Sequence, residues 1–222
     1  MFNSTLGAFR LPCKCNRLMA LTAALIALML AGCATDNTPE IAVNDTSRTF
    51  DTVVIDPGHG GKDSGAFKRG VAEKNAALDV ALRLNKKLRE GGFHTVMTRT
   101  GDYFVELNER AAISNRQENA IFVSIHFNDS HKKRICGVDT YYKSPVSETL
   151  AARIEQSLSK INVPRGVHRA NFRVLRMNKY PAVLVECGFL SNGHDADGAK
   201  HSAYREKIAD LIAQAIIAQR GN

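Results

Sequence analysis

The order of apolar and polar residues divides the chain into three parts. A continuous apolar run, residues 18–31, is followed by a polar stretch, 34–48, and then by short apolar runs that alternate with amphipathic segments. This alternation predicts strands and helices in turn, as in an α/β domain. The predicted strands are residues 53–56, 93–98, 120–126, 137–142, 172–176 and 181–186, and the predicted helices are residues 72–90, 107–117, 148–158 and 203–218.

The first predicted helix shows a clear 3.6-residue period. Its apolar residues recur at the spacing of one helix face turned towards a core, and Gly91-Gly92 ends the pattern. These apolar residues are Ala77, Val80, Ala81, Leu84 and Leu88. We therefore expect a single α/β domain over residues 51–222, long enough to bury a sizeable core.

The N-terminal apolar run has the features of a secretory signal. Basic residues precede it, residues 1–32 contain no acidic residue, and the run is shorter than the roughly twenty residues that span a bilayer. It ends in Leu30-Ala31-Gly32-Cys33, which resembles the lipobox of bacterial lipoproteins. The resemblance implies a signal peptide at 1–32, lipidation of Cys33, and a membrane anchor facing the periplasm. Ala34 favours the outer membrane. An uncleaved anchor and an ordinary signal are the alternatives.

Residues 33–50 are predicted to hold the lipidated cysteine and a flexible tether. The polar stretch has no sustained apolar period, and a random coil of this length reaches roughly 20 to 25 Å. The net charge of the whole chain is +8, and predicted export argues against nucleic acid as a partner. Within the domain, Cys136 and Cys187 are expected to be buried thiols, with a disulfide between them as the alternative.

Three of the predicted strands end at an ionisable residue. His59 follows the first strand between glycines, His126 ends a second, and Glu186 ends a third, while Glu73 opens the first helix. Strand ends of an open α/β sheet meet at one edge. Two imidazoles and a carboxylate form the ligand set of a catalytic zinc with a position left for water, and Glu186 then remains as a base for amide hydrolysis. Each residue alone also has a structural explanation, and no compact metal motif is present.

Four segments, in register, resemble the zinc-dependent N-acetylmuramoyl-L-alanine amidases of the amidase 3 type, over residues 52–219. The segments are Asp56-Pro57-Gly58-His59-Gly60-Gly61, Glu73-Lys74-Asn75, Ser124-Ile125-His126-Phe127-Asn128 and Val185-Glu186-Cys187-Gly188-Phe189-Leu190-Ser191-Asn192. The resemblance implies Zn²⁺ held by His59, Glu73 and His126, with Glu186 as general base and acid. It implies hydrolysis of the amide between N-acetylmuramic acid and L-alanine in peptidoglycan. The implied fold is a mixed, mostly parallel sheet of about six strands flanked by helices, similar to zinc carboxypeptidases.

The remaining expectations concern the substrate and partners. Candidate substrate contacts are Asn75, Asn128, Arg176 and Asn192, although a solvated loop explains Arg176 and Asn192 equally well. Phe127 replaces the small residue usual in the family. The loop 129–137 is too short to fold over the site as in some relatives, so we expect no obligatory activator, and we expect a monomer. The alternative functions are a zinc peptidase or carboxypeptidase acting on stem peptides, and a catalytically silent peptidoglycan-binding lipoprotein.

Overall fold

The computed structural model of the protein describes residues 41–221. The strands are β1 Thr52–Pro57, β2 Phe67–Lys68, β3 Val71–Ala72, β4 His94–Met97, β5 Ala120–Asn128, β6 Val138–Tyr142, β7 Pro164–Arg169 and β8 Ala182–Phe189. The helices are α1 Glu73–Glu90, α2 Leu107–Asn115, α3 Glu148–Leu158, α4 Arg173–Arg176, α5 Gly193–Lys200 and α6 Ser202–Arg220, with a 3-10 turn at Pro145–Ser147. Helix α3 has the bounds predicted from the sequence.

A six-stranded sheet forms the centre of the domain, in the order β4-β1-β5-β8-β6-β7. Neighbouring strands are parallel except for β6 and β8, which are antiparallel. The mixed, mostly parallel sheet of six strands flanked by helices is therefore confirmed. Strands β1, β5 and β8 are almost wholly buried, which explains why their sequences read as continuous apolar runs instead of alternating ones.

The two faces of the sheet are covered unequally. Helices α1, α3 and α6 pack over one face and enclose the larger apolar core. The short helices α2 and α4 cover part of the other face, over a smaller core that includes Val54, Phe122 and Leu184. Side chains alternate along a strand, so the even-numbered residues of β1, β5 and β8 face the thinly covered side of the sheet. Asp56, His126 and Glu186 therefore share one face of the sheet.

Four parts of the fold differ from the sequence predictions. Residues 172–176, predicted as a strand, form the helical turn α4, in which the Leu175 and Arg176 N–H groups both donate to the Phe172 carbonyl. Short apolar runs do not separate strand from helix by period. Strand β7, helix α5 and the β2–β3 hairpin were not predicted. Strand β7 lies at the sheet edge and is largely exposed, so it carries no apolar pattern.

The described part of the predicted tether is attached to the domain. The Asn44 N–H donates to the Lys179 carbonyl over 2.8 Å, the Thr46 hydroxyl donates to the Ala120 carbonyl, and Phe50 is fully buried. The domain therefore begins before residue 51, and the tether predicted up to residue 50 is wrong for this part. The predicted signal peptide and its cysteine at position 33 lie outside the described residues.

Two further expectations concern the thiols and the membrane. Cys136 and Cys187 are both buried and remain thiols, as expected, and the alternative of a disulfide between them is wrong. Over residues 41–221, no helix has the length and apolar character that crossing a bilayer requires.

Candidate metal centre and active site

The loop after β1 presents His59 in a conformation that only surrounding contacts maintain. His59 has φ 58°, in the left-handed region that non-glycine residues rarely adopt. Two buried arginines hold the carbonyl groups of His59 and of the two residues before it. Arg99 donates to Gly58 O over 2.7 Å, and Arg110 donates to His59 O over 2.7 Å and to Pro57 O over 2.6 Å. These hydrogen bonds fix the loop, and the imidazole Nε2 atom lies 3.0 Å from Glu73 Oε1.

Glu73, the first residue of α1, lies between the two histidines. Its Oε1 is 3.0 Å from His59 Nε2 and 2.9 Å from His126 Nδ1, and it also accepts from Phe127 N over 3.1 Å. Its Oε2 accepts from Ala66 N over 2.9 Å. Burial alone raises the pKa of the Glu73 carboxyl, but the hydrogen bonds and charges of His126 and His59 outweigh burial and hold this pKa well below its usual range. Glu73 is thus an ionised carboxylate.

Two glycines make room for this cluster. A Cβ atom at Gly58 would lie 2.3 Å from the His126 ring, and one at Gly65 would lie 2.5 Å from Glu73 Oε2. Real Cβ contacts are never that short, so any larger residue would displace a member of the cluster. The rings of His59 and His126 meet edge to face with centroids 4.9 Å apart. Gly58, which belongs to the first of the four quoted segments, and Gly65 therefore have a steric reason at this site.

The donor atoms of His59, Glu73 and His126 are close enough together to hold a metal ion. One ligand atom from each residue lies within 4.8 Å of the others, and two imidazoles with one carboxylate are a catalytic zinc set. Asp63 Oδ2 is 2.8 Å from His59 Nδ1, so it can hold the proton there and leave Nε2 to face the cluster, as the outer carboxylates of metal sites do. Burial lowers the pKa of His59, but Glu73 and Asp63 together raise it above its usual value.

Glu186 has a different environment. In the sheet it lies opposite His126 of β5 and Asp139 of β6, on the same face as both. The residue is half-buried, but its Oε2 atom is fully enclosed and has no hydrogen-bond partner among the described residues. Burial, followed by the charges of Glu73 and Asp139, raises the pKa of Glu186 well above its usual range. A carboxyl group with an unpaired oxygen beside a metal centre is suited to accept and return a proton.

A cleft of about 700 Å³ is lined by the three metal-ligand candidates and Glu186, among other residues. Its lining includes residues from the loop before the β2–β3 hairpin and from the end of β5, among them Gly65, Ala66 and Asn128. It also includes residues at the starts of α2 and α4, among them Leu107 and Phe172. The structure thus brings together His59, Glu73, His126 and Glu186, as the sequence predicted, in a space large enough for a substrate.

Of the four predicted substrate contacts, one lines the cleft in the described part of the chain. Asn128 lines the cleft, whereas Asn75, Arg176 and Asn192 are absent from the residues that line it within the described part of the chain. The Asn192 side chain instead caps α5 by accepting from the N–H groups of residues 194 and 195. Arg176 is half-buried in α4, and its buried Nε has no hydrogen-bond partner in residues 41–221. Sequence reasoning missed Asp63, whose carboxylate four residues after His59 was the available signal.

Comparison with known proteins places this site in a family. The family model described as N-acetylmuramoyl-L-alanine amidase matches residues 53–218. The chain is 36% identical over 188 residues to the N-acetylmuramoyl-L-alanine amidase LytC of Bacillus subtilis, covering 79% of this chain and 38% of LytC. It is 35% identical over 170 residues to the probable cell wall amidase LytH of Staphylococcus epidermidis, covering 74% of this chain and 57% of LytH.

Solved structures show the same relationship. The N-acetylmuramoyl-L-alanine amidase AmiC2 of Nostoc punctiforme matches with a TM-score of 0.74 and 36% identity, over 77% of this chain and 97% of that one. The catalytic domain of the amidase CwlV from Bacillus (Paenibacillus) polymyxa matches with a TM-score of 0.71 and 34% identity, over 75% of this chain and 96% of that one.

Proposed function

We propose that this protein hydrolyses the amide between N-acetylmuramic acid and L-alanine in peptidoglycan, in a zinc-dependent reaction. The chain belongs to the Amidase_3 family of N-acetylmuramoyl-L-alanine amidases. The observation that carries the proposal is the pairing of two unlike groups in one cleft. His59, Glu73 and His126 form a metal-ligand set, and Glu186 faces the same space with an unpaired oxygen. The bond that is cut is inferred from the relatives, and the reaction mechanism is inferred from the residues of the site.

The chain's own residues have separate tasks in this reaction. His59, Glu73 and His126 would hold zinc, which when bound lowers the pKa of water and polarises a carbonyl group. Glu186 accepts a proton from the attacking water and passes it to the alanine nitrogen as the C–N bond breaks. The products are a carboxylate on the lactyl group and a free amine on the stem peptide. Glu186→Gln retains the shape of the side chain but cannot accept this proton.

We further propose that the enzyme needs no activator. The connection from β5 to β6 has only nine residues between Asn128 and Val138, and the described cleft is bounded by side chains of the domain itself. A purified sample that becomes active only after a second protein is added would refute this proposal.

The proposed location is the periplasmic face of the outer membrane, through lipid on Cys33. The lipobox-like sequence supports the anchor, and Ala34 supports the outer membrane. Growth with a radiolabelled fatty acid tests it: the wild-type chain should be labelled, and Cys33→Ala should remain unlabelled and unprocessed. Label retained by Cys33→Ala would refute lipidation at this residue.

The decisive experiment is digestion of purified peptidoglycan by the wild-type protein, with zinc and after chelation, with products read by mass. Free stem peptides and peptide-free glycan should appear only with zinc. Glu186→Gln should release neither, while Glu90→Gln, an exposed substitution at the far end of α1, should behave as wild type. Release of single amino acids would favour a zinc peptidase. Binding of peptidoglycan without cleavage would favour a silent binding protein.

A further inference from the structure

The ionisable residues that line the cleft are mostly acidic. Among residues 41–221, six carboxylates line it against two arginines, Arg110 and Arg173. The carboxylates are those of Asp56, Asp63, Glu73, Glu106, Asp129 and Glu186. Such a lining repels an anionic group of a ligand. Outside the metal-ligand set, an anionic group therefore binds favourably only beside a cation whose donors are not already used.

The two arginines of the lining differ in what their guanidinium groups already bind. Arg110 is buried, pairs with Asp56 over 2.8 Å, and donates from all three side-chain nitrogens to acceptors of the domain. Arg173 is exposed, and the only partner of its guanidinium in residues 41–221 is Asn108 Oδ1, which accepts from Nε. The cation of this cleft that can pair with a ligand is therefore Arg173.

The hydrogen bond to Asn108 orients Arg173 without neutralising it. Arg173 is the first residue of α4 and Asn108 is the second of α2, so the bond connects the starts of two helices beside the cleft. The amide oxygen of Asn108 carries no net charge, and within residues 41–221 Arg173 forms no ion pair with Glu106 or with any other carboxylate. Both Nη groups keep their donors, and this planar pair of donors matches the two oxygens of a carboxylate.

Arg173 lies close enough to the reacting groups for one substrate to reach both. The neighbouring ring of Phe172 packs on Tyr141 with centroids 5.1 Å apart, and Tyr141 lies opposite Leu184 in the sheet. Leu184 and Glu186 are two residues apart on one strand, about 6.6 Å. A stem peptide advances by about 3.5 Å per residue from the alanine nitrogen. A carboxylate on the residue after alanine is therefore within reach of the long Arg173 side chain.

We propose that Arg173 binds a free carboxylate on the residue that follows alanine in the stem peptide, and that it makes the enzyme selective for stem peptides in which this carboxylate is not amidated. The inference rests on the proposed function and adds a specificity-determining residue to it. A primary amide at the same position has no charge and a single acceptor oxygen, and its N–H groups face the N–H groups of the guanidinium. The amidated peptide therefore loses the ion pair and one of its two hydrogen bonds.

The kinetic test uses soluble muramoyl-dipeptides whose second residue carries one carboxylate, either free (the acid form) or as its primary amide (the amide form). The wild-type KM should be about five- to tenfold lower for the acid form, with equal kcat values. Arg173→Gln should raise KM for the acid form to that of the amide form and leave the amide form unchanged. Arg173→Lys, which keeps the charge but loses the planar pair of donors, should retain part of the preference. Added salt should raise the wild-type KM for the acid form only.

Two other cations provide matched controls. Arg169 of β7 is also exposed and also held through Nε, which donates to the Lys143 carbonyl over 3.0 Å, but it is absent from the cleft lining found in residues 41–221. Lys62 lies 4.5 Å from the ring centroid of Phe104, which does line the cleft. Arg169→Gln and Lys62→Gln should both keep the wild-type preference. Equal wild-type KM values, equal effects of Arg173→Gln on both substrates, or a preference lost with Lys62→Gln instead would overturn the proposal.

Direct binding separates failure of this inference from failure of the proposed function. The dissociation constants of the same two muramoyl-dipeptides are measured on the whole protein carrying Glu186→Gln, which should not cut them. The acid form should bind about five- to tenfold more tightly, and adding Arg173→Gln should remove the difference. If the wild type cuts neither substrate but this difference appears, the proposed reaction fails and the role of Arg173 stands. If the wild type cuts both alike and the difference is absent, the role of Arg173 fails and the reaction stands. No cleavage and no difference would overturn both.

Discussion

Asp56 of β1 and Glu186 of β8 lie on the same face of one sheet, yet their carboxyl groups have opposite surroundings. Asp56 is fully buried and accepts hydrogen bonds from Thr98, from Arg110 over 2.8 Å, and from Ser124 over 2.7 Å. Glu186, two strands away, has a buried oxygen with no partner among the described residues. A satisfied carboxylate and an unsatisfied one are thus separated only by β5.

This difference distinguishes a structural carboxylate from a reactive one. A buried charge that is paired and hydrogen-bonded connects the elements around it, and here Asp56 connects β1, β5 and the start of α2 through Arg110. A buried carboxyl without a partner lowers stability, since its ionised form has lost water and gained nothing in return. Its retention at the floor of a cleft, beside a metal-ligand set, is explained by chemistry instead. The following substitutions test that distinction.

The largest effect is expected from Glu186→Gln, and it should fall on activity alone. Loss of the proton acceptor should lower amide hydrolysis about 10²- to 10⁴-fold. Because burial raises the pKa of Glu186, its ionised form costs folding free energy, and the neutral amide should leave the free energy of unfolding unchanged or higher. Urea denaturation and product release measure the two quantities on one sample. A variant that loses stability along with activity would break the comparison.

Asp56→Asn should show the reverse pattern. The substitution leaves the buried Arg110 guanidinium, 3% exposed, without its carboxylate, and breaking such a pair costs roughly 3 to 5 kcal/mol. Urea denaturation should show this loss, and the protein that remains folded should keep most of its activity.

Thr98→Val provides a milder variant in case Asp56→Asn does not fold. It removes one hydrogen bond to Asp56 and should cost about 1 kcal/mol. Unchanged stability in both variants would mean that the Asp56 network contributes nothing to the fold.

The sequence predicts the same contrast only in part. Continuous apolar runs located β1, β5 and β8, and the ionisable residue at the end of each run located the site, because strand ends meet at one edge. The hydrogen bonds from Arg99 and Arg110 to backbone carbonyls leave no periodic signal in the sequence, because their acceptors are groups that every residue carries. Strand β7 lacks apolar alternation because it is largely exposed, and the hairpin strands, with two residues each, are too short to show a period. The five-residue run at 172–176 was likewise too short to separate helix from strand.

Asp63→Asn tests a carboxylate whose surroundings are intermediate between those of Asp56 and Glu186. Asp63 is 44% exposed, but it is paired to His59 Nδ1 and accepts from Gly65 N over 3.0 Å. Its loss should free the His59 ring to change tautomer and orientation, and it should lower zinc affinity about 10- to 100-fold. Competition with a chromogenic chelator measures this directly. Asp197→Asn, an exposed carboxylate on α5, is the control, and equal affinities for both variants would show that Asp63 does not position the ligand.

The smallest effect is expected from Asp79→Asn, where a partnered carboxylate lies at the surface. Burial alone raises the pKa of Asp79, but hydrogen bonds from Arg83 of α1 and Arg205 of α6 outweigh it and lower this pKa below the usual 3.8. A lowered pKa in the folded state gives stability that is fully present above pH 3.8 and is lost as pH falls through the lowered value. The substitution should therefore cost less than about 1 kcal/mol at pH 7, and the difference from wild type should vanish in acid. Unfolding curves across this pH range measure the difference in the free energy of unfolding. The control is Glu90→Gln, whose ion pair with Lys86 is loose at 3.8 Å and whose stability should therefore not depend on pH in this way. A cost as large as that of Asp56→Asn would show that burial is not what separates structural carboxylates from surface ones in this domain.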